Sequence, residues 1–217
     1  MADSGTSILS FVFITLIVMV GLYISNVLYD HNIPQYVSRK VGHVIGGVGY
    51  ILSVMWFPTP LFPLILSIGF TMLLLGARFI RPSTFRGVGG SSRQNALAEI
   101  WFPLSGTVAL LVGWVWLNNP MMALVPILYM AFGDAATGLI RATVYKKEVK
   151  GNWGSVGMLI TCLAVGLMFT PYWIAAVGAV VATLAEKFSK AGKWLDDNYS
   201  IIASSLTVMG ILWTSLR

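Results

Sequence analysis

The chain has 217 residues, of which 57% are hydrophobic and only 10% are charged, and its formal net charge is +6 at pH 7. Typical soluble domains contain about 45–50% apolar and about 25% charged residues, so a soluble protein of this composition would lack enough polar surface to cover its core. The composition excludes a disordered chain, a coiled coil, a nucleic-acid-binding domain and, with Cys162 as the only cysteine, a disulfide scaffold. It predicts a polytopic membrane protein.

The apolar segments predict where the chain crosses the membrane. A span requires about 20 apolar residues, and the first apolar run, about 23 residues long, exceeds the hydrophobic region of a signal peptide. The stretch 153–186 would be about 51 Å long as one helix, well beyond the hydrocarbon core of about 30 Å. We therefore expect it to divide at Thr170-Pro171. The predicted spans are 7–29, 38–57, 60–81, 98–118, 120–142, 153–170, 171–188 and 199–216.

The basic residues predict the orientation of these spans. Loops 30–40, 78–97, 141–152 and 187–198 carry 13 of the 14 basic residues, and the short connections on the other side carry none. Cytoplasmic loops of membrane proteins are enriched in Lys and Arg. We expect an all-α, polytopic membrane helical bundle of about eight transmembrane helices, within a range of seven to nine. Residues 1–217 would form a single integral membrane domain with both termini outside and four basic loops in the cytoplasm.

Polar side chains gather at the predicted cytoplasmic face. Seven of the eight acidic residues and both histidines lie in cytoplasmic loops or at the cytoplasmic ends of spans. An alternating-access transporter would hold its binding groups near the middle of the bilayer. The pattern favours an enzyme that combines a water-soluble substrate with a lipid, and a transporter is the non-enzyme alternative.

The second span opens with the motif Arg39-Lys40-x-x-His43. Residues three or four apart share one face of a helix, so both cations lie beside the histidine. This arrangement suits a phosphate group, and the structural alternative is a pair of anchoring cations next to an ordinary histidine. Glu99 opens the fourth span and is a further candidate, or a plain first-turn acid.

Asp134 lies inside the fifth span, roughly 12 Å from its cytoplasmic end. A carboxylate within a membrane helix is a functional hypothesis by default, and the alternative is a structural acid paired with Arg or Lys. The neighbouring small residues, among them Gly133 and Gly138, would let a ligand or another backbone approach closely. Small residues also serve ordinary helix packing.

Lys150 precedes a glycine-rich helix start that contains Gly154 and Ser155. The first N–H groups of a helix are free and its dipole is positive there, so such a start favours an anion. A nucleotide phosphate would fit this position. Glycine-rich stretches are also often only turns.

Acidic residues flank the last cytoplasmic loop. Asp196 and Asp197 are adjacent, with Glu186 before them and Asn198 after them. Mg²⁺ in proteins is commonly held by one or two carboxylates together with phosphate oxygens. The alternative is that an aspartate or asparagine here caps the final helix.

Taken in order, these motifs resemble those of the polyprenol kinase family, which comprises dolichol kinase, phytol kinase and the CTP-dependent diacylglycerol kinases. They span residues 38 to 200 and are Arg39-Lys40-x-x-His43, Glu99-x-Trp-Phe-Pro103, Gly133-Asp134, Lys150-x-x-x-Gly154-Ser155, and Glu186 followed by Asp196-Asp197-Asn198. Two positions depart from the pattern. Arg141 stands where a glycine is expected, and Ile202 stands near an expected proline.

The resemblance implies a kinase that transfers the γ-phosphate of CTP to the hydroxyl of a membrane isoprenoid alcohol at the cytoplasmic face. The implied cofactor is Mg²⁺, and its ligands would be Asp134, Asp196 and Asp197. The implied nucleotide-binding residues are Arg39, Lys40, Lys150, Gly154, Ser155 and Asn198. The implied catalytic residues are Asp134, His43 and Lys150. Glu99 and Glu186 would support them, and His43 or a carboxylate would take the hydroxyl proton.

Other functions remain open at this point. A CTP-dependent diacylglycerol kinase and a CTP:phosphatidate cytidylyltransferase-like enzyme would need the same nucleotide and metal groups. The cytidylyltransferase would need further cations at the membrane edge, which the arginine-rich loop 78–97 offers. The expected partners are CTP, a membrane lipid alcohol and the bilayer, without nucleic acid. The identity of the alcohol and the oligomeric state stay open.

Overall fold

The chain folds into helices throughout the part that the computed structural model describes, residues 4–89, 97–147, 149–189 and 196–216. The helices are α1 Ser4–Asp30, α2 Gln35–Trp56, α3 Leu61–Ile80, α4 Ala98–Trp116, α5 Pro120–Tyr145, α6 Asn152–Gly166, α7 Tyr172–Phe188 and α8 Asp197–Ser215. Each predicted window holds one of these helices. The predicted break at Thr170-Pro171 falls between α6 and α7.

Four helices, α1, α3, α4 and α5, are long and apolar enough to cross a membrane, and α6 is apolar but shorter. Large apolar side chains are exposed along α1 and α3, for example Leu9, Val20, Met72 and Ile80. Large exposed apolar patches mark surfaces that contact a membrane or another protein. The structure thus supports a helical membrane protein, in which four of the eight predicted spans meet both criteria within the described ranges.

Short polar and proline signals set the ends of two helices. The Asn119 side chain accepts hydrogen bonds from the backbone N–H groups of Met121 and Met122, and Pro120 occupies the first turn of α5. Asparagine is a favoured N-cap, and proline is well tolerated at the first helical position because that N–H has no helical partner. These signals explain why a new helix starts only a few residues after α4 ends at Trp116.

Helix α5 lies at the centre of the bundle and packs against α2, α4, α6, α7 and α8. Its apolar window is 72% buried, whereas that of α1 is 17% buried. Residues Met122 to Val125 and Ile127 to Ala131 are fully buried. A helix that is apolar all round must be surrounded by protein or lipid, and here protein surrounds it.

The central helix is not regular along its whole length. Two stretches, Tyr129–Gly133 and Arg141–Tyr145, are wound as π-helix and flank the α-helical segment Asp134–Ile140. A π-helical turn inserts an extra residue into the helix and is frequent at functional sites. The extra residue rotates the residues that follow it about the helix axis. The segment that begins at Asp134 therefore faces a different direction from the one that a regular α-helix would give it.

Candidate functional site

The site lies where α2, α6 and α8 begin, where α7 ends, and against the second half of α5. We call this end of the bundle the basic end, because the loops that join these helices carry the basic residues. Three carboxylates, those of Asp134, Glu186 and Asp197, converge there, each offering an oxygen within 4.8 Å of the others. All three are buried. Glu186 and Asp197 lie on consecutive helices, whereas Asp134 lies on α5, so the tertiary fold is needed to bring Asp134 to the other two.

Asp134 is held by the start of α2 and by its own helix. Lys40 Nζ donates a hydrogen bond to Asp134 Oδ2, and His43 Nδ1 lies 3.5 Å from the same oxygen. Thr137 Oγ1 donates to the backbone carbonyl of Asp134 at 2.8 Å and lies 3.3 Å from Oδ1. Thus the predicted residues Lys40, His43 and Asp134 do form one group.

Gly138 makes room for the Lys40 side chain. A Cβ atom at position 138 would lie only 2.7 Å from Lys40 Cγ, a distance that side-chain carbons do not tolerate. Because Gly138 follows Asp134 by four residues on an α-helical segment, both face the start of α2. The small residue is therefore required by the approach of Lys40 to Asp134.

Glu186, at the end of α7, is held by two cations. Arg141 Nη2 donates to Glu186 Oε1, and Lys150 Nζ lies 3.7 Å from that oxygen. Lys150 Nζ is also 3.7 Å from Asp197 Oδ2 and 2.9 Å from the Ser189 hydroxyl oxygen. Lys150 therefore bridges two of the three converging carboxylates.

Asp196 differs from the predicted arrangement. Its side chain accepts a hydrogen bond from the Asp197 N–H at 2.9 Å and caps α8, and its Oδ2 lies 3.8 Å from Arg39 Nη1. Burial and the neighbouring Asp197 carboxylate raise the pKa of Asp196 to about 7. Glu186, predicted only in support, joins Asp134 and Asp197 in the place that the sequence pattern assigned to Asp196. Capping turns the Asp196 carboxylate back toward its own backbone.

Four cations and four carboxylates lie together in what we call the charged cluster: Arg39, Lys40, Arg141, Lys150, Asp134, Glu186, Asp196 and Asp197. All of them except Lys150 are buried. Buried ion pairs are weak contributors to stability, because desolvation opposes the attraction between the charges. Groups of buried, mutually perturbing charges are typical of functional sites. The Lys150 side chain is 29% exposed, so the cluster reaches solvent at Lys150.

His43 sits between the charged cluster and the apolar interior. Its ring stacks on Phe102 with centroids 4.5 Å apart, and the residue is only 3% exposed. Nε2 has no hydrogen-bond partner among the described residues. A buried polar atom normally has a partner, so this nitrogen is available to a group that the protein itself does not supply.

Three other predicted residues lie beside the charged cluster. Asn198 is fully buried, and its side-chain amide donates to the Ala98 carbonyl oxygen at 3.1 Å, which ties α8 to α4. Gly154 lies against Thr137, where a Cβ would be in ordinary contact at 3.8 Å. Ser155 follows on the first turn of α6 and is partly exposed. Gly154 at the start of α6 thus lies next to Thr137, which in turn donates a hydrogen bond to the Asp134 carbonyl oxygen.

Glu99 stands apart from the cluster. Arg78 Nη1 donates to its Oε1, so this acid belongs to an ion pair between α3 and α4. In the arginine-rich loop 78–97, Arg86 pairs with Asp30 at 2.8 Å on the exposed surface. Arg93 and its neighbours at 90–96 lie outside the described residues.

Arg141 is the site residue that sequence reasoning missed, because it stands where the resemblance calls for glycine. It is 5% exposed and paired with Glu186. A signal existed: Arg141 follows Asp134 by seven residues, a spacing that places two residues on the same side of a helix.

Comparisons with known proteins found no match to this chain among protein-family models, curated proteins or solved structures.

Proposed function

We propose that the protein is a CTP-dependent lipid-alcohol kinase, which transfers the γ-phosphate of CTP to the hydroxyl of a membrane isoprenoid alcohol. The observation that carries the proposal is the convergence of three buried carboxylates with bridging cations, next to a histidine that also faces an apolar cavity. Phosphoryl transfer depends mainly on positioning and on charge neutralisation. The charged cluster offers both signs of charge for those tasks.

The carboxylates suit a magnesium ion. Asp134, Glu186 and Asp197 supply the oxygen ligands that Mg²⁺ prefers, and Asp197 Oδ1 has no hydrogen-bond partner among the described residues. When bound, Mg²⁺ would neutralise charge that develops on the phosphate oxygens. The residues present therefore fit the metal that the sequence motifs imply, with Glu186 as the third ligand.

The cations suit the triphosphate. Lys40 and Lys150 already lie against the metal-binding carboxylates, so phosphates bound by these lysines would be close to the metal. Arg39 lies at the edge of the same network, against Asp196. Charge-assisted hydrogen bonds to phosphate are stronger than neutral ones.

His43 is suited to take the proton of the lipid hydroxyl. In the proposed reaction the hydroxyl oxygen forms a bond to the γ-phosphorus, the bond to the β–γ bridging oxygen breaks, and CDP leaves. The hydroxyl proton passes to Nε2, which has no hydrogen-bond partner among the described residues, whereas Nδ1 lies 3.5 Å from Asp134 Oδ2. A general base must lie within hydrogen-bond reach of the proton that it accepts. Exposure of His43 to the apolar cavity supports this reach.

We also propose that all eight helices cross the membrane, with both termini outside and the charged cluster facing the cytoplasm. The distribution of basic residues supports this topology, because 13 of the 14 lie in the four alternate loops. The composition of the site supports it as well. All of its members except Asp134 lie at or near the helix ends that adjoin those loops, within reach of a nucleotide in the cytosol.

Transfer of label from CTP tests the proposal. The purified protein in lipid nanodiscs would be given a polyprenol, phytol or diacylglycerol, with CTP labelled at the γ- or the α-phosphate. We expect label to enter an isoprenoid alcohol from the γ-position only, with release of CDP. Label that enters a phosphorylated lipid from the α-position would identify a cytidylyltransferase and overturn the proposal. Absence of transfer in every combination would favour a non-enzymatic transporter.

A further inference from the structure

Arg141 is the member of the charged cluster that departs from the resembled sequence pattern, in which glycine is expected at this position. Asp134, Gly138 and Arg141 follow one another at intervals of four and three residues, so they share one face of α5. Arg141 lies about 10 Å closer to the basic end than Asp134, and its side chain is buried. The chain therefore carries an extra cation on the face of α5 that presents Asp134 to the site.

The guanidinium of Arg141 has more hydrogen-bond donors than the protein uses. A guanidinium carries five N–H donors. Nη2 donates to Glu186 Oε1, and this is the only hydrogen bond of Arg141 among the described residues. Nε is buried and has no partner within the same part of the chain. Because buried polar atoms normally have partners, these donors are available to an acceptor that comes from outside the protein.

Lys150, the other cation beside Glu186, is engaged differently. An ammonium has three donors, and Lys150 Nζ donates to the carbonyl oxygens of Glu186 and Ser189 and to the Ser189 hydroxyl oxygen. Its carboxylate contacts, to Glu186 and Asp197, are both at 3.7 Å, which is longer than a hydrogen bond. Lys150 thus uses its donors to hold the end of α7, whereas Arg141 retains unused ones.

A phosphate group suits the unused donors of Arg141. Arginine forms paired, parallel hydrogen bonds to phosphate oxygens, and such charge-assisted bonds are about twice as strong as neutral ones. In phosphoryl transfer the metal ion bridges oxygens of the β- and γ-phosphates. Because Glu186 is one of the proposed metal ligands and Arg141 contacts it, those two phosphates would lie within reach of the guanidinium.

We infer that Arg141 is a phosphate-binding residue, whose guanidinium donates hydrogen bonds to the β- or γ-phosphate of the nucleotide from its place beside Glu186. The inference rests on the proposed function and adds to it a binding residue that the resembled pattern lacks. Glycine has no side-chain donor, so the set of residues that binds the triphosphate in this chain differs from the set that the pattern implies.

Arg141→Gln and Arg141→Lys separate the donors from the charge. Glutamine removes the charge, and lysine keeps it without the planar fork of donors. Lys150 stays beside Glu186 in both variants, so we expect both to fold. The Kd of CTP, measured by calorimetry with Mg²⁺ present, should rise at least about tenfold in Arg141→Gln and by a smaller factor in Arg141→Lys. Arg86→Gln is the matched control, because Arg86 also pairs with an acid, Asp30, but on the exposed surface; its Kd should equal that of the wild type.

Probes with different phosphates show whether the contact is direct. CMP lacks the β- and γ-phosphates, so its Kd in Arg141→Gln should change less than about twofold, as for independent sites. Inorganic tripolyphosphate lacks the sugar and the base, and its Kd should rise as that of CTP does. An equal loss of affinity for CMP and CTP would show a general distortion of the site and overturn the inference.

Failure of this inference and failure of the kinase proposal give different results. If Arg141→Gln binds CTP and tripolyphosphate as tightly as the wild type, Arg141 is not a phosphate-binding residue, whether or not the γ-phosphate of CTP reaches a lipid. If the variant shows the expected loss but the wild type transfers phosphate to no lipid, Arg141 remains a phosphate-binding residue and the kinase proposal fails. If the wild type binds neither probe in the presence of Mg²⁺, both proposals fail.

Discussion

At the scale of single residues, the site is a set of charges that neutralise one another. Asp134 has Lys40 as its nearest cation, and Glu186 has Arg141. Each pair joins a residue of a recognisable motif to a residue from another helix. Removal of one member leaves its buried partner without a counter-charge, which destabilises proteins by about 3–5 kcal/mol. Activity and stability must therefore be measured together in every variant of the charged cluster.

We expect Asp134→Asn to lower the proposed kinase activity by at least about a hundredfold, because the amide keeps the shape but loses the charge that the proposed metal site requires. Thermal unfolding should show that the variant still folds. Asp30→Asn is the matched control, since Asp30 pairs with Arg86 on the exposed surface and its loss should leave the activity unchanged. Near wild-type activity of Asp134→Asn at saturating Mg²⁺ would make Asp134 a structural acid.

Glu186→Gln and Asp196→Asn should behave differently, because only Glu186 lies in the converging carboxylate set. The Glu186 variant should require a higher Mg²⁺ concentration for half-maximal activity. The Asp196 variant should be much milder, since asparagine is also a good N-cap for α8. Titration of activity against Mg²⁺ measures both. A stronger effect at Asp196 would indicate that Asp196 and not Glu186 is the third metal ligand, as the sequence pattern alone predicted.

At the scale of helices, glycine positions decide which helices can touch. Gly138 on α5 faces Lys40 of α2, whereas a Cβ added at Gly69 on α3 would have no heavy atom of a described neighbouring residue within 4 Å. The two glycines thus have the same chemistry but opposite surroundings. Each can be replaced by alanine, which is the smallest change that adds a Cβ.

Gly138→Ala should displace Lys40 from Asp134 and weaken CTP binding, because the new Cβ would lie 2.7 Å from Lys40 Cγ. The lysine side chain is flexible, so we expect the protein to fold. Gly69→Ala should leave CTP binding unchanged and favour helix α3 slightly, since alanine is the better helix former. The shift of the thermal unfolding midpoint on adding CTP reports binding. Equal shifts in both variants and the wild type would contradict the role given to Gly138.

The helices were largely predictable from the sequence, and the composition of the cluster only partly so. Apolar runs and prolines such as Pro120 give the eight helix windows, because burial and helix starts follow local patterns. The choice of Glu186 over Asp196 depends on how α7 and α8 pack, which no local pattern contains. The π-helical stretch before Asp134 likewise changes which residues face the start of α2. The place of Arg141 in the site could not be predicted for the same reason, because it depends on an ion pair with Glu186 on another helix.

At the scale of the whole molecule, the charged cluster lies at one end of the bundle and the apolar surface surrounds the remainder. Lys147 is exposed in the loop after α5, and Asn118 is exposed in the turn between α4 and α5. These two positions lie at opposite ends of α5, a helix of 26 residues. In the proposed topology they would therefore lie on opposite sides of the membrane.

Single-cysteine labelling in a Cys162→Ala background tests the orientation. We expect a membrane-impermeant maleimide to label Lys147→Cys only from the cytoplasmic side and Asn118→Cys only from the outer side, as the distribution of basic residues predicts. Intact cells and inverted vesicles provide the two measurements. The reverse pattern would invert the proposed topology, and labelling of both from one side would show that α5 does not cross the bilayer.

The ion pair between Lys40 and Asp134 makes the two proposed ligands thermodynamically dependent on each other. A divalent cation bound to Asp134 would release the Lys40 ammonium, and a phosphate bound to Lys40 would release the Asp134 carboxylate, so each ligand would remove an obstacle to the other. Such coupling is reciprocal and usually amounts to about 5–150-fold in affinity. Calorimetric titration should show that Mg²⁺ tightens CTP binding by at least about tenfold and that Lys40→Ala reduces this synergy. CTP would then occupy the site only weakly until a divalent cation accompanies it.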